Sequence, residues 1–401
     1  MTAVRMLGSH AQHPSQSKKT PVDGELLVVL PSLGTTSTVW DGVLAELRTD
    51  PALAGLRVLS VDLPGHGVSP AMTGPFTIGE MATAVLAVVD ELGDREFHVA
   101  GISLGGAIAL ELAVLHPDRV LSLTMLCSGS RIGTPTGWQE RAASARASGT
   151  ASLVTGSAAR WFAPGFLGED TGAGARALGQ IIDVDDESYA LCAEALGEFD
   201  RTADARNLPV PTLLVSAEFD EVTTPDSMRR FAGILPDAHA VEIAGASHLA
   251  ALERPAEIAR ALSEHLVGQA DATRSATARR GDAVRRAVLG NAHVDAANAA
   301  ITPETAAFQD FIGRYAWGEV WARPGLSLRD RSIATLASLV TAGHETELRM
   351  HLRAALRNGL TPDELTEILL HTALYAGLPA ANAAFAILRE VLADLPEDPH
   401  G

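Results

Sequence analysis

HVAGISLGGAIAL (residues 98–110) is an apolar run, a glycine-rich turn around one serine, and then small apolar residues with helical character. Gly101, Ser103 and Gly105 fit the pattern G-x-S-x-G, and Gly106 adds a third glycine. A strand that turns sharply into a helix forces the residue at the turn into a strained backbone conformation. Glycines two before and two after let neighbouring backbone approach where a Cβ would clash. Glycine and serine are common, so the pattern needs its context: a strand before and a helix after make Ser103 a candidate nucleophile.

That context extends in both directions. ELLVVLP (25–31), LRVLSVDLPGHG (56–67), FHVAGIS and VLSLTMLCSG read as apolar strands, each followed by a turn or loop. IGEMATAVLAVVDELG and LGGAIALELAVLHP between them are helical in period. Strands and helices in alternation predict a doubly wound, mostly parallel sheet. From about 130 to 207 the chain becomes rich in alanine, arginine and acidic residues, which predicts a helical cap inserted over the sheet. PTLLVSAEFD and HAVEIAGASH then restore the strand–loop theme, and PAEIARALSEHLVG closes as a helix. Residues 268–281 are small and polar without apolar period and read as a linker, as residues 1–23 read as a flexible tail. Beyond the linker no strand pattern occurs. Residues 282–397 are predicted to be all-α, with Thr361, Pro362 and Glu364 placed as a capping box with proline at the first helical position, and Gly359 and Gly377 placed after helix ends. The unit built on the sheet is thus expected over 24–267.

A serine hydroxyl needs a base, and the base needs an orienting acid. In this architecture the order is serine, acid, histidine. Asp220 follows the strand TLLVSAEF, and His248 follows AVEIAG in the loop GASHLA. Glu218 is a rival acid nearer the strand body, so Asp220 is preferred. The oxyanion hole requires two backbone N–H groups, expected from Leu104, next to the nucleophile, and from Leu33 in the loop PSLGT.

The composition bounds the function. The 401 residues are 47 % hydrophobic and 20 % charged, which suits a folded chain of more than one domain. A net charge of −18 argues against nucleic acid as a partner. The two cysteines, Cys127 and Cys192, form no metal or disulfide pattern. No apolar run is long enough to span a membrane, and the N-terminal residues lack the apolar core of a signal peptide, so the expectation is a cytoplasmic protein.

PSLGT, DLPGHG, GISLGG, EFD and GASH, in that order, resemble the α/β-hydrolase fold. SLGTTSTVWDGVL and DLPGHGVSP resemble the 3-oxoadipate enol-lactonases. Pro64 stands where that family has an arginine, and the N-terminus does not show the usual opening hairpin. The stretch RPGLSLRDRSIATLASLVTAGHETELRMHLRAALRNGLTPDELTEILLHTALYAGLPAANAAF resembles 4-carboxymuconolactone decarboxylase, over about 282–395. His344 and Glu347 stand where peroxidase-type relatives carry a Cys pair, so thiol redox chemistry is excluded for this half.

The resemblance implies a decarboxylation without cofactor, metal or redox group. Arg323 and Arg331 are the candidates to hold substrate carboxylates, His351 is the candidate general acid, and Glu347 is the candidate to orient it. His371 and Tyr375 are weaker candidates. His344, Glu347 and His351 share a helix face. That is ordinarily a solvated polar face, and no further aspartate or histidine completes a metal set. In the first half, Arg131, Arg141 and Arg160 are candidates to hold a lactone carboxylate, with Trp40, Trp138 and Trp161 as pocket walls. The two resemblances fit one another, because the decarboxylase product is the lactonase substrate. The partners implied are small lactone carboxylates and further copies of the chain, assembled through the helical half. The rival reading is a general carboxylesterase or perhydrolase with a non-catalytic helical module.

Overall fold

The computed structural model describes residues 9–12, 22, 24–169 and 171–394. The chain separates into two compact units, residues 1–271 and 272–401.

The first unit is built on a seven-stranded sheet. Its strands are β1 (Ser9–Gln12), β2 (Leu26–Leu30), β3 (Arg57–Val61), β4 (Phe97–Ile102), β5 (Val120–Leu126), β6 (Thr212–Ala217) and β7 (Ala238–Ile243). They lie in the order β1-β3-β2-β4-β5-β6-β7, and only β1 is antiparallel to its neighbour. β2, β4 and β6 are buried throughout, which explains their unbroken apolar sequence: a parallel strand covered on both faces has no polar side. The chain steps from β2 outward to β3 and then returns to β4 on the other side of β2. The crevice at the carboxyl ends of β2 and β4 is therefore the point where strand order reverses, the place where such sheets hold ligands.

Between β5 and β6 the cap consists of helices Pro135–Ser148, Val154–Trp161, Phe166–Glu169, Thr171–Asp183 and Asp186–Glu198. Helix Ile78–Glu91 starts with a full capping box between Thr77 and Glu80.

Two sequence expectations change. Four residues of the expected tail, Ser9–Gln12, pair with β3. An edge strand offers unpaired backbone groups, and a segment can cover them through its own backbone without an apolar sequence to announce it. The rest of that tail is outside the described residues, apart from Val22. The expected linker 268–281 lies inside a single helix, Pro255–Leu289. Alanine and arginine are strong helix formers, so lack of an apolar stripe did not mean lack of helix.

The second unit contains helices Asn291–Ala299, Pro303–Phe311, Leu328–Ala342, Glu345–Arg357, Pro362–Ala376 and Leu378–Ala393, with no strand among the described residues. Leu336, Val340, Leu348, Leu352, Leu365, Leu369, Leu388 and Val391 form its core. Thr361 accepts from the Glu364 N–H at 3.2 Å and its own N–H donates to the Glu364 carboxylate at 3.0 Å, as expected. Helix Pro303–Phe311 runs on into a π-helical stretch at Ile312–Trp321. There Gly318 packs so closely on helix Pro255–Leu289 that a Cβ would come within 2.6 Å of the Thr277 carbonyl oxygen.

Candidate active site

Ser103 sits between β4 and helix Leu104–Leu115 at φ 54° and ψ −114°. Such a conformation in a non-glycine residue stores on the order of 1–3 kcal/mol. The flanking glycines make it possible. A Cβ on Gly101 would meet the Gly105 carbonyl oxygen at 2.1 Å, and one on Gly105 would meet the Leu30 carbonyl oxygen at 2.4 Å. Ser128 braces the turn from β5, its hydroxyl donating to the Ser103 carbonyl oxygen at 2.8 Å.

His248 Nδ1 lies 2.9 Å from Asp220 Oδ2, and both residues are buried. The carboxylate also accepts from the Val222 N–H (2.7 Å), the Thr223 N–H (3.1 Å) and the Thr223 hydroxyl (2.7 Å). Burial alone would raise the Asp220 pKa. The His248 charge and the hydrogen bonds from His248 and Thr223 outweigh it and hold the carboxyl below its usual range. Glu218 is exposed and accepts the Gly245 N–H instead. Ser103 and His248 both face a cavity of about 360 Å³.

Leu33 and Leu104 are buried, and their N–H groups meet no acceptor among the described residues. Leu104 is the first residue of its helix, where an N–H has no intrahelical partner. The Leu33 loop is held by a residue that sequence reading missed. His66 Nδ1 donates to the Pro64 carbonyl oxygen at 2.8 Å, so Nε2 is free to accept the Gly34 N–H at 3.0 Å. Burial pushes the His66 pKa down to about 4, which keeps the ring neutral and that acceptor available. The GHG turn in the sequence was the available signal.

The cap supplies the cavity walls. Trp138, Trp161, Arg141, Arg160 and Tyr189 line it. Arg141 donates from Nε to the Tyr189 hydroxyl at 2.6 Å and from Nη2 to the Ser157 hydroxyl at 3.0 Å. Neither Arg141 nor Arg160 is ion-paired among the described residues. Burial, then the Arg141 charge, lowers the Arg160 pKa. Two sequence expectations are corrected here. Trp40 is wholly buried, with its Nε1 donating to the Leu30 carbonyl oxygen at 3.0 Å, so it is a core residue and not a wall. Arg131 is half exposed and pairs with Asp200 at 3.7 Å, away from the cavity.

In the second unit His351 stacks on Trp321 with ring centroids 6.2 Å apart. Its Nδ1 is buried without a partner among the described residues, and burial lowers its pKa. Glu347, one turn earlier, is exposed and not hydrogen-bonded to the ring among the described residues; its charge only pulls that pKa back upward. Arg331 Nη2 donates to the Arg323 carbonyl oxygen at 2.8 Å while its Nε is buried and unpartnered among the described residues. Arg323 itself is exposed. Trp321 and Arg323 thus bring His351 and Arg331 to one short segment. His371 and Tyr375 lie side by side on an exposed face, ring centroids 5.5 Å apart and tilted by 54°. Arg353 pairs with Asp394. Among the described residues no group of three or more histidine, cysteine, aspartate or glutamate side chains could hold a metal ion, and no helix is long and apolar enough to cross a membrane.

The alpha/beta hydrolase family matches residues 27–261, and the carboxymuconolactone decarboxylase family matches residues 306–390. The chain belongs to the alpha/beta hydrolase family, and its second unit to the carboxymuconolactone decarboxylase family. The decarboxylase unit is similar to a 4-carboxymuconolactone decarboxylase of Acinetobacter baylyi, 54 % identical over 112 residues, which are 28 % of this chain and 84 % of that protein. The hydrolase unit is similar to 3-oxoadipate enol-lactonase 2 of the same organism, 30 % identical over 234 residues, 58 % of this chain and 85 % of that one. It also superposes on an enol-lactonase from Burkholderia xenovorans with a TM-score of 0.60 and 30 % identity, covering 65 % of this chain and 96 % of that structure.

Proposed function

We propose that the chain catalyses two consecutive reactions, decarboxylation of 4-carboxymuconolactone in the helical unit and hydrolysis of the resulting 3-oxoadipate enol-lactone in the hydrolase unit. The observation that carries the hydrolytic half is the cavity holding Ser103 and His248 together with two guanidinium groups, Arg141 and Arg160, that have no carboxylate partner among the described residues. An anionic ester fits that arrangement better than a neutral one.

Ser103 attacks the lactone carbonyl while His248, oriented by Asp220, takes its proton. The oxyanion is received by the N–H groups of Leu33 and Leu104. The enol oxygen leaves and tautomerises to the ketone. Water activated by His248 then releases the diacid from the acyl-enzyme.

In the helical unit the departing carboxylate leaves its electron pair on a carbon conjugated through C=C to the lactone carbonyl. The pair flows into that carbonyl to give a dienolate, and a proton added at the α carbon yields the enol-lactone. The buried Nε of Arg331 and Nδ1 of His351, without partners among the described residues, support anion binding here. His351 is the acid. Because burial holds its pKa below the ordinary value of 6.5, its protonated fraction, and with it the decarboxylation rate, rises as pH falls below 6.5. The same helical unit exposes Leu370, Leu374, Tyr375 and Leu378, which supports self-association through this face.

Purified chain given 4-carboxymuconolactone is expected to release CO₂ and accumulate 3-oxoadipate. Ser103→Ala is expected to release CO₂ at the same rate and accumulate enol-lactone. Esterase activity without CO₂ release would overturn the two-step reading in favour of an esterase with a non-catalytic helical module.

A further inference from the structure

The loop that carries His248 is laced to one strip of the cap, 160–163. The Leu249 N–H donates to the Trp161 carbonyl oxygen at 2.9 Å. The Ser247 hydroxyl lies 3.2 Å from the Arg160 carbonyl oxygen and 3.0 Å from that of Phe219, the residue before Asp220. Glu253 closes the lacing. Its Oε2 accepts the Ser247 N–H at 2.6 Å and its Oε1 accepts the Ala163 N–H at 2.7 Å. The side chain is buried and forms no ion pair among the described residues. Burial raises the Glu253 pKa, and the hydrogen bonds that pull it back come from two backbone amides on two separate segments. One precedes the catalytic base. The other ends the strip whose first two residues, Arg160 and Trp161, line the cavity.

We infer that Glu253 is a positioning residue that fixes the distance between the anion-holding part of the cap and His248. This rests on the proposed anionic lactone substrate. A substrate pinned at both ends, by its carboxylate on Arg160 and by its carbonyl at Ser103, reacts fast only if those anchors are held in register, since a displacement of about 1 Å can slow such a reaction roughly 100-fold. A neutral ester is pinned only at the carbonyl and follows the loop.

Glu253→Gln in the full-length chain offers one acceptor oxygen and sets an NH₂ against the other amide N–H, so one of the two ties is lost whichever way it is oriented. The test compares kcat and KM for enol-lactone and for 4-nitrophenyl acetate. The expected result is a fall of about 10–100-fold in lactone kcat with KM changed less than threefold, and a loss of at least fivefold in the preference for lactone over the neutral ester. Equal losses for both substrates, or no loss, overturn the inference. Ala163→Pro is the second variant: it removes the cap-side donor and sets its ring Cδ where the N–H pointed at Glu253 Oε1, which breaks that tie. Phe162 before it is already extended at φ −122° and ψ 142°, as a residue preceding proline prefers. If Glu253→Gln does not fold, loss of the preference in folded Ala163→Pro supports the coupling, and its retention overturns it. A wild-type chain with no preference for the anionic lactone overturns the substrate reading and the coupling with it. A wild-type preference kept by both variants overturns the coupling alone.

Discussion

Asp220→Asn separates proton chemistry from binding. The Val222 and Thr223 N–H groups both point at Oδ1, so an asparagine introduced here places its oxygen there, because its NH₂ would face two donors. The NH₂ then occupies the Oδ2 position, opposite the Thr223 hydroxyl and His248 Nδ1. The hydroxyl rotates to accept. The ring has no such freedom: meeting a donor, Nδ1 must give up its proton, and the proton moves to Nε2. That is the atom required to take the proton of Ser103. The fold is retained, yet the base is blocked. The expected loss in lactone kcat is about 10³–10⁴-fold, equivalent to roughly 4–5.5 kcal/mol of transition-state stabilisation. Asp220 is 2 % exposed and does not line the cavity with Ser103, so KM is expected to stay within about threefold. The assay is steady-state hydrolysis of enol-lactone, with CO₂ release from 4-carboxymuconolactone by the same sample as internal control. A variant that keeps more than a tenth of wild-type kcat would refute the assignment, since Glu218, the only rival acid raised by the sequence, is engaged with Gly245.

Arg160→Met is expected to raise KM for enol-lactone about 10–100-fold, the worth of one charge-assisted hydrogen bond, and, by removing one of the two anchors, to lower kcat as well; an unchanged KM in steady-state assays would place the anion elsewhere. Trp40→Phe should lower stability by about 2–4 kcal/mol in denaturant unfolding, because it opens a cavity and strands the buried Leu30 carbonyl, while kcat/KM stays the same. His66 gives a pH signature. Its folded pKa of about 4 lies below the unfolded 6.5, so the unfolded chain takes the proton first. Its contribution is whole above pH 6.5 and is lost as pH falls toward 4. Denaturant melts of the hydrolase unit should lose about 2 kcal/mol from this group between pH 7 and pH 5, and His66→Ala should remove that part of the slope.

Local rules carried much of this far. The elbow at Ser103 is legible because its requirement is local: a strand, a forced turn and a helix, with glycine wherever a Cβ would strike backbone. Asp220 and His248 were legible because a parallel sheet gathers its strand ends on one side, so position in sequence implied position in space. The sheet itself was legible from unbroken apolar strands, and Thr361 with Glu364 from a bond between residues one turn apart. The cap was not legible in the same way. Helix Pro135–Ser148 buries only Ala142 and Ala145 and has no apolar stripe to mark its inner face, so nothing in its period placed Arg141 in the cavity, and nothing in the loop before it marked Arg131 as paired outside. Tryptophan identity likewise left Trp40 and Trp161 equivalent.

What the sequence determined alone was the pair of folds, the candidate nucleophile and the order of its candidate partners, since each follows from periodicity and neighbouring residues. Only tertiary structure decided which cations stand unpaired beside Ser103, that His66 holds the Leu33 loop, and that Glu253 joins the cap to the catalytic base. These depend on groups from 6 to 90 residues apart meeting within 3.0 Å. At such separations burial and hydrogen-bond geometry, not local propensity, select the partner.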